Sequence, residues 1–378
     1  MSPAAATGAF GVDLLGAQAP GNGVLSPYSV SSALAMAGTG ATGPTAAQIA
    51  EALRLSGPAA FGAVGRLQRT IAREQAIAGE GRPSAPTLES ANGLFLQQGF
   101  PLKPAFLDGL QKHFGATPEV VDFAGNLPAS LGVINSWVSQ HTHGIIPELF
   151  AELPEDTRLV LANAVFLKAD WLHRFSAGNT GPAPFYSSSG SEPVEFMRQT
   201  APLSYGAGPD YRAVDLPYRA STLSLLIVLP VKKKVGALQH DLSAGGLDRI
   251  TSDLARRTVR LSLPRFHVNT RTELSQALTS LGMKAVFGES AEFSGMTSGE
   301  ELKIDTVQHV ADIRVDEAGT VAAAATGVVM TPKSASPVPR DVVEFKANRP
   351  FLFFVRDKST GAVLFAGRLA DAASAGSG

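Results

Sequence analysis

Hydrophobic residues recur at helical spacing mainly in the first half of the chain and at strand spacing mainly in the second. After Pro27, the apolar residues Val30, Leu34 and Met36 lie close to helical spacing. This spacing predicts a helix that ends near Gly38.

Three further segments before residue 170 carry clear patterns. Residues 94–96 predict a strand, which is followed by a turn and an amphipathic helix over residues 104–114. Residues 135–150 predict a second helix with a proline at its exit. Residues 159–167 are almost wholly apolar, as expected of a central strand that is buried on both faces.

The second half of the chain is rich in strand-forming residues. Strands are predicted within residues 221–230, 257–268, 341–347 and 349–370, and the last of these segments is a hairpin that turns at "DKSTG". Helices and strands do not alternate regularly, so the pattern favours an α+β fold over a doubly wound one. The segments most typical of loops are residues 78–87 and 331–341.

Composition narrows the possible functions. The 378 residues carry a formal net charge of -1, which gives no electrostatic footprint for nucleic acid or for an anionic membrane. The absence of cysteine excludes disulfides and thiolate chemistry. No window approaches eighteen consecutive apolar residues, and the first residues show neither a basic region nor an apolar run typical of a signal peptide.

A glycine motif and a set of polar residues deserve comparison with known enzyme signatures. "GTGATG" (residues 38–43) matches GxGxxG, but it follows a predicted helix rather than a strand, which argues against a dinucleotide site. Ser26 or Ser29 with His309 and an aspartate could form a hydrolase triad on paper. However, the chain has no GxSxG elbow, and helix capping explains the serines.

Two charged or titratable runs have simpler explanations than ligand binding. His141 and His143 point apart if they lie on a helix, and no third metal ligand is near in sequence, so solvated helix positions are favoured. Lys232–Lys234 follow a strand-ending proline and indicate a charged turn, with an anionic polysaccharide site as the weaker alternative.

The stretch "VDEAGTVAAAATGVVM" (residues 315–330) does not fit a simple linker. It separates two strand-like segments, residues 302–317 and residues 342–347. Because its small side chains need almost no cavity, such a run is able to enter a sheet between two existing strands. We interpret it as a strand that is not yet part of a sheet.

The chain resembles the serpins from about Asn22 to about Ala372. Seven segments in family order carry the resemblance: "NGVLSPYSVSSALAMAGTGATGPTAAQI", "ANGLFLQ", "INSWV", "LVLANAVFLKADW", "VDLPYRASTLSLLIVLP", "LKIDTVQHVADIRVDEAGTVAAAATG" and "FKANRPFLFFVRDKSTGAVLFAGRLAD". The resemblance implies an α+β fold with three β-sheets, eight or nine helices and an exposed reactive-centre loop at about residues 317–342. It also implies one domain over residues 1–378, with an ordered core at about 22–372 and short flexible tails.

The resemblance assigns a hinge at the start of this loop, which inserts into the largest sheet after cleavage. The hinge residues are Glu317, Gly319, Thr320, Ala322, Ala323, Ala324, Ala325 and Thr326. None of those that enter the sheet is bulky or charged, as insertion requires, because burying an unpaired charge is costly. Ala318 and Val321 depart from the polar residues usual in the family, and Val321 favours pairing of the free loop with another molecule's sheet edge.

Other residues acquire roles by the same resemblance. Ser26, Ser29, Asn163 and His309 match a buried hydrogen-bonded cluster beneath the main sheet, where its central strands part. Trp171 matches the tryptophan at the top of that sheet. Arg265 matches a basic position that pairs with the hinge glutamate, Glu317 in this chain.

The position of the cleaved bond also follows from the resemblance. In serpins it lies at about the seventeenth position counted from the hinge glutamate, which places it at Lys333-Ser334. A lysine favours trypsin-like proteases, whose specificity pocket carries an aspartate. Subtilisin-like proteases are a second target class. The long downstream segment keeps Met330 open as the alternative, with elastase- or chymotrypsin-like targets.

The implied function is suicide inhibition of a serine endopeptidase by an acyl complex and loop insertion, so the protein is expected not to be an enzyme. No cofactor, metal, nucleic acid or membrane partner is expected, and the protein is expected to be a monomer that is able to form loop-sheet polymers. A non-inhibitory serpin acting as a chaperone or carrier is the alternative, and a hydrolase is a distant third. The family favours an extracellular location, while the lack of a visible signal peptide keeps a cytoplasmic one open.

Overall fold

The structure is a computed structural model that describes residues 1–57, 59–82, 85–142, 144, 146–243, 245–298, 302–320 and 341–376. These residues contain nine α-helices: α1 (Pro3–Gly16), α2 (Pro27–Gly38), α3 (Gly43–Ala52), α4 (Ala60–Gly79), α5 (Pro104–Phe114), α6 (Leu127–His141), α7 (Val235–Ser243), α8 (Gly246–Ser252) and α9 (Ser275–Ser280). Both the α+β class and the expected number of helices are confirmed.

The same residues contain fifteen strands. They are β1 (Gly23–Leu25), β2 (Thr87–Gln97), β3 (Glu119–Val121), β4 (Leu159–Asp170), β5 (Gly181–Ser187), β6 (Gly190–Ala207), β7 (Tyr211–Pro217), β8 (Leu223–Pro230), β9 (Ala255–Pro264), β10 (Phe266–Glu273), β11 (Thr306–Val315), β12 (Gly319–Thr320), β13 (Val342–Lys346), β14 (Phe351–Asp357) and β15 (Val363–Leu369).

A six-stranded sheet, called the main sheet below, has the order β10-β11-β12-β4-β2-β3. Strand β4 lies inside it and is buried on both faces, as its continuous apolar run predicts. Val160, Ala162 and Ala164 pack on one face with Ile134 and Val138 of α6. Leu159 and Leu161 of β4 lie on the opposite face, where they join the core formed with α2.

The remaining strands form a nine-stranded sheet, with β5 paired to β6 off the main path. Strand β6 is 18 residues long and pairs with β9 over residues 196–205 and with β7 over residues 204–207. Two of the three expected sheets are therefore continuous through β6. The predicted hairpin is present as β14 and β15, which pair antiparallel.

Helix α6 corrects one sequence-based boundary, because it begins eight residues before the predicted start at residue 135 and ends at His141. The Asn126 side chain caps its first turn by accepting a hydrogen bond from the Ala129 N–H at 3.2 Å. At the other end, the Thr142 hydroxyl donates to the Val138 carbonyl at 2.8 Å and accepts from the Ile146 N–H at 3.2 Å, which turns the chain out of the helix. The proline therefore lies beyond the helix and does not end it.

Near both ends of the described chain, residues that were expected to form flexible tails pack into the core. Helix α1 begins at Pro3, and its Phe10 and Leu14 are fully buried. At the other end Ala375 is buried, and its carbonyl accepts a hydrogen bond from the His267 N–H at 3.0 Å. Helix α1 is rich in alanine and glycine and is buried on nearly all sides, so it lacks the apolar stripe by which a helix is recognised in a sequence.

Candidate functional site

The segment between β11 and β12 lies at one end of the main sheet, where its three backbone carbonyls accept hydrogen bonds. The Trp171 indole N–H donates to the Asp316 carbonyl at 2.8 Å, and its backbone N–H donates to the Ala318 carbonyl at 2.8 Å. The Phe175 N–H donates to the Glu317 carbonyl at 3.0 Å. Trp171 therefore fixes the turn that precedes β12, as its expected position at the top of this sheet suggested.

Glu317 and Arg265 form an ion pair at this turn. The guanidinium Nε donates to both carboxylate oxygens at 2.9 Å, and an Nη donates at 2.5 Å. Burial alone would raise the pKa of the Glu317 carboxyl, but hydrogen bonds from Arg265 and Thr180 outweigh it and hold that pKa below its ordinary value. The pairing expected from the sequence is therefore present and charged at neutral pH.

The first two residues after the turn already lie in the main sheet. Strand β12 pairs antiparallel with β4 through Gly319 and Asp170 and through Thr320 and Ala169, and its other edge meets β11 at Val315. Away from β12, the two strands β4 and β11 pair directly and in parallel, over residues 306–312 of β11. The structure therefore shows a sheet whose two central strands are separated at one end and joined below it.

Both β12 side-chain positions are closely confined. A Cβ built on Gly319 would overlap the carbonyl oxygen of Ala169. Thr320 is buried, and its hydroxyl lies 2.5 Å from the hydroxyl of Tyr218. The Tyr218 ring stacks on Trp171 with centroids 4.7 Å apart. Only small side chains fit where the hinge enters the sheet.

The four polar residues predicted to form a cluster are in contact and fully buried. His309 Nε2 accepts from the Ser26 backbone N–H at 3.0 Å, and Asn163 Nδ2 donates to Ser29 Oγ at 2.7 Å. His309 Nδ1 bonds the Asn163 side-chain oxygen. Asn163 of β4 lies opposite His309 of β11, so the cluster bridges the two strands that an inserted strand would separate.

The hydrogen bonds of His309 define its protonation state. Because Nε2 accepts from a backbone N–H, the ring hydrogen is on Nδ1 and is donated to Asn163. Burial lowers the pKa of His309 to about 3, so the ring is neutral at pH 7. Protonation of Nε2 would remove an acceptor that a buried N–H requires.

The cluster has no geometry for a serine nucleophile. His309 accepts from the Ser26 backbone, whereas the Ser26 hydroxyl donates to the Leu364 carbonyl at 2.6 Å and accepts from the Ser29 N–H at 3.1 Å. Activation requires the ring nitrogen to face the hydroxyl. The arrangement thus agrees with the sequence-based preference for a structural network over a triad.

The sequence did not indicate two further members of the cluster, Ser90 and Asn92. Ser29 Oγ lies 2.8 Å from Ser90 Oγ and 3.0 Å from Asn92 Oδ1, and Asn163 also donates to Asn92. Both new members are in β2, the other neighbour of β4. Their spacing of two residues, which places both side chains on one face of a strand, was the available signal.

The other sequence-based sites show no binding geometry. His141 stacks on Trp137 and hydrogen-bonds its carbonyl at 2.8 Å. Lys233 pairs with Asp241 at 2.7 Å and Asp210 at 3.3 Å, as in a charged turn. The described residues contain no group of three metal-binding side chains. Within that part of the chain, no helix combines the length and apolar character needed to cross a membrane.

Several predicted residues lie outside the described part of the chain. They are His143 and, in the loop, Val321, Ala322, Ala323, Ala324, Ala325, Thr326, Met330, Lys333 and Ser334.

Comparison with known proteins agrees with this geometry. A family model described as "Serpin (serine protease inhibitor)" matches residues 5–372. The chain belongs to the serpin family. It is 37% identical to Iripin-2 of Ixodes ricinus, covering 95% of this chain and 91% of that protein. It is 35% identical to the leukocyte elastase inhibitor of Bos taurus, covering 92% and 93% respectively.

A solved structure confirms the serpin fold. The native-state structure of Tengpin, a thermophilic serpin, superposes with a TM-score of 0.83 at 26% identity, covering 97% of this chain and 93% of that chain. The resemblance seen in the sequence and the fold that it implied are therefore both confirmed.

Proposed function

We propose that this serpin inhibits a serine endopeptidase as a suicide substrate and does not act as an enzyme. The observation that carries the proposal is the position of β12. Gly319 and Thr320 are already paired between β4 and β11, which is the position from which an inserting strand would extend. A loop that starts in the sheet needs no new nucleation step to extend there.

The cluster and the hinge supply the two properties that insertion requires. The hydrogen bonds of the cluster hold β4 and β11 together before cleavage, and the bond between Asn163 and His309 must break for a strand to enter between them. In addition, every residue proposed to follow Thr320 into the sheet, from Val321 to Thr326, is uncharged and small or β-branched. Insertion therefore buries no unpaired charge.

We infer that Lys333-Ser334 is the cleaved bond, with Met330 as the alternative position. The serine hydroxyl of the protease attacks the Lys333 carbonyl carbon, and the peptide nitrogen of Ser334 leaves after taking up a proton from the protease's general acid. Lys333 is then joined to the protease as an ester. A trypsin-like target matches the lysine, and a subtilisin-like target is the second choice.

Insertion of the cleaved loop would stop the reaction at this ester. The loop carries the protease with it as it enters the main sheet, and the protease's oxyanion hole and base lose their alignment. Hydrolysis of the ester requires both groups. We propose a monomeric serpin that is consumed in one covalent complex and is able to form loop-sheet polymers when the sheet opens without cleavage.

The test is to mix the protein with trypsin at equal amounts and to examine the products on a denaturing gel and by mass spectrometry. We expect a complex that survives denaturation and a released peptide that begins at Ser334. A peptide that begins after Met330, formed with chymotrypsin or elastase, would move the bond to the alternative position.

Thr320→Glu separates insertion from cleavage. It places a charge at a buried position beside Tyr218 while it leaves Lys333 intact, so we expect cleavage without a stable complex. If the wild-type protein is also cleaved without a complex and its melting temperature does not rise afterwards, a chaperone or carrier role replaces inhibition. Turnover that Ser26→Ala abolishes would instead indicate a hydrolase.

A further inference from the structure

A cleft of about 440 Å³ lies between the carboxyl-terminal end of α1, helix α7 and the end of α9. It shares no residue with the hinge or with the polar cluster. Its floor is formed by the buried residues Val12, Gln239 and Arg368. Its rim includes Asp13, Gly236, His240, Ser243, Ser280 and Leu281.

The cation in the floor has only neutral partners among the described residues. Arg368 is 7% exposed. Its Nε donates to the Gly21 carbonyl at 2.7 Å, one Nη donates to the Ala19 carbonyl at 2.6 Å, and the other donates to the Gln239 side-chain oxygen at 3.2 Å. Burial lowers the pKa of this guanidinium below its ordinary value, in agreement with a charge that no nearby anion compensates.

The acidic residue on the rim does not supply the missing anion. The Asp13 carboxylate is bonded to the Arg54 guanidinium at 2.6 Å. A guanidinium has five N–H donors, and the three bonds above leave one N–H on each terminal nitrogen of Arg368. The planar fork of an arginine matches the two oxygens of a carboxylate, so an anion of this type would satisfy both the charge and the remaining donors.

We propose that this cleft binds a small organic carboxylate, with the carboxylate on Arg368 and the body of the ligand against Val12 and Leu281. The volume lies within the range of about 300–1,000 Å³ that is usual for small-molecule pockets. Ser243, Ser280 and His240 line the rim of the cleft. The site is separate from the proposed inhibition of proteases.

Two matched pairs of probes test the charge requirement. Benzoate and hexanoate carry the carboxylate, whereas benzamide and hexanamide have similar shape without the charge. Titration calorimetry at constant ionic strength should show saturable binding of at least one acid, with the matching amide at least tenfold weaker. No saturable binding of either acid, or equal binding of acid and amide, would overturn the proposal.

Two variants test the location. Arg368→Met removes the cation and should weaken the acid at least tenfold, but it also removes the bonds to Ala19 and Gly21. Gly236→Leu leaves Arg368 unchanged and projects a side chain from α7, where a Cβ meets no atom within 4 Å. This variant should keep the wild-type melting temperature and lose at least tenfold in affinity for the acid. Undiminished binding by a folded Gly236→Leu protein would show that Arg368 only ties the segment after α1 to β15.

Discussion

Gly319 lies so close to Ala169 that the backbone of β12 meets the carbonyl of β4 with no room for a side chain. The same glycine pairs with Asp170, the last residue of β4. The point at which the loop enters the main sheet is therefore set by backbone contact, and a larger residue must displace one of the two strands.

Gly319→Val is expected to release the start of the hinge from the sheet. Overpacking of this kind costs about 1–3 kcal/mol, so the melting temperature of the uncleaved protein should fall. The yield of trypsin complex should fall as well, because the hinge is no longer aligned between β4 and β11. Both are measured by thermal denaturation and by a denaturing gel.

Gly181→Val is the matched control for that change. Gly181 also lies in a strand, but the nearest atom to its built Cβ is 3.7 Å away. We expect a near wild-type melting temperature and complex yield. Equal losses in both variants would mean that the Gly319 contact has no special role.

The ion pair between Glu317 and Arg265 should stabilise the uncleaved form. The two side chains are 14% and 37% exposed, so loss of either charge is expected to cost only about 1 kcal/mol. Glu317→Gln and Arg265→Gln should each lower the free energy of unfolding, and the double variant should lose less than the sum. Strictly additive losses in a denaturant titration would show that the pair contributes no coupling.

The pH dependence of this pair follows from the direction of the shift. The pKa of Glu317 is lower in the folded protein than its ordinary value of 4.5. Its stabilisation is therefore present above the unfolded value and is lost as the pH falls through the folded value. Glu317→Gln should remove this contribution to acid sensitivity.

How far the sequence could predict the structure differs between elements. Strand β4 was predictable because its uninterrupted apolar run fits a strand that is buried on both faces. In the structure, β4 is buried on both faces. Helix α1 was not predictable, because its small residues serve contacts with other parts of the chain. Gly11 packs so closely on Pro27 that a Cβ would lie 2.7 Å from the proline ring. Such contacts depend on residues that are distant in the chain.

The candidate site shows the same division. The family resemblance, rather than spacing, indicated the contact of Glu317 with Arg265, which are 52 residues apart. Ser90 and Asn92 were missed because they meet Ser29 only after β2 pairs with β4 and α2 packs beneath them. A polar residue in a strand does not reveal its partner, since the partner is fixed by sheet order and register.

His309 should make the stability of the uncleaved protein depend on pH. Its pKa is about 3 in the folded protein and 6.5 ordinarily, so the unfolded chain binds a proton that the folded one excludes between these values. Stability is complete above the unfolded value and falls as the pH is lowered, by about 2 kcal/mol from pH 7.5 to pH 5. Chemical denaturation at several pH values measures this slope.

His309→Gln should flatten that slope in the same range, while it lowers stability at pH 7 because the hydrogen bonds to Ser26 and Asn163 are disturbed. The loss should be about 1–3 kcal/mol. His141→Gln is the control, since that ring is exposed at the end of α6 and the variant should keep the wild-type slope. If His309→Gln keeps the full slope, the dependence arises from other groups.

Asn163 should control opening of the main sheet, because its single amide joins β4 to β11, α2 and β2. Asn163→Ala leaves His309, Ser29 and Asn92 without their shared partner, and buried groups left unsatisfied cost about 1–3 kcal/mol each. The melting temperature should fall, and heating below it should produce more oligomers on a native gel, because a parted sheet accepts a loop from a second molecule. Asn179→Ala, at an exposed position, should do neither. If the Asn163→Ala protein is destabilised but stays monomeric, Asn163 contributes to stability without controlling the opening of the main sheet.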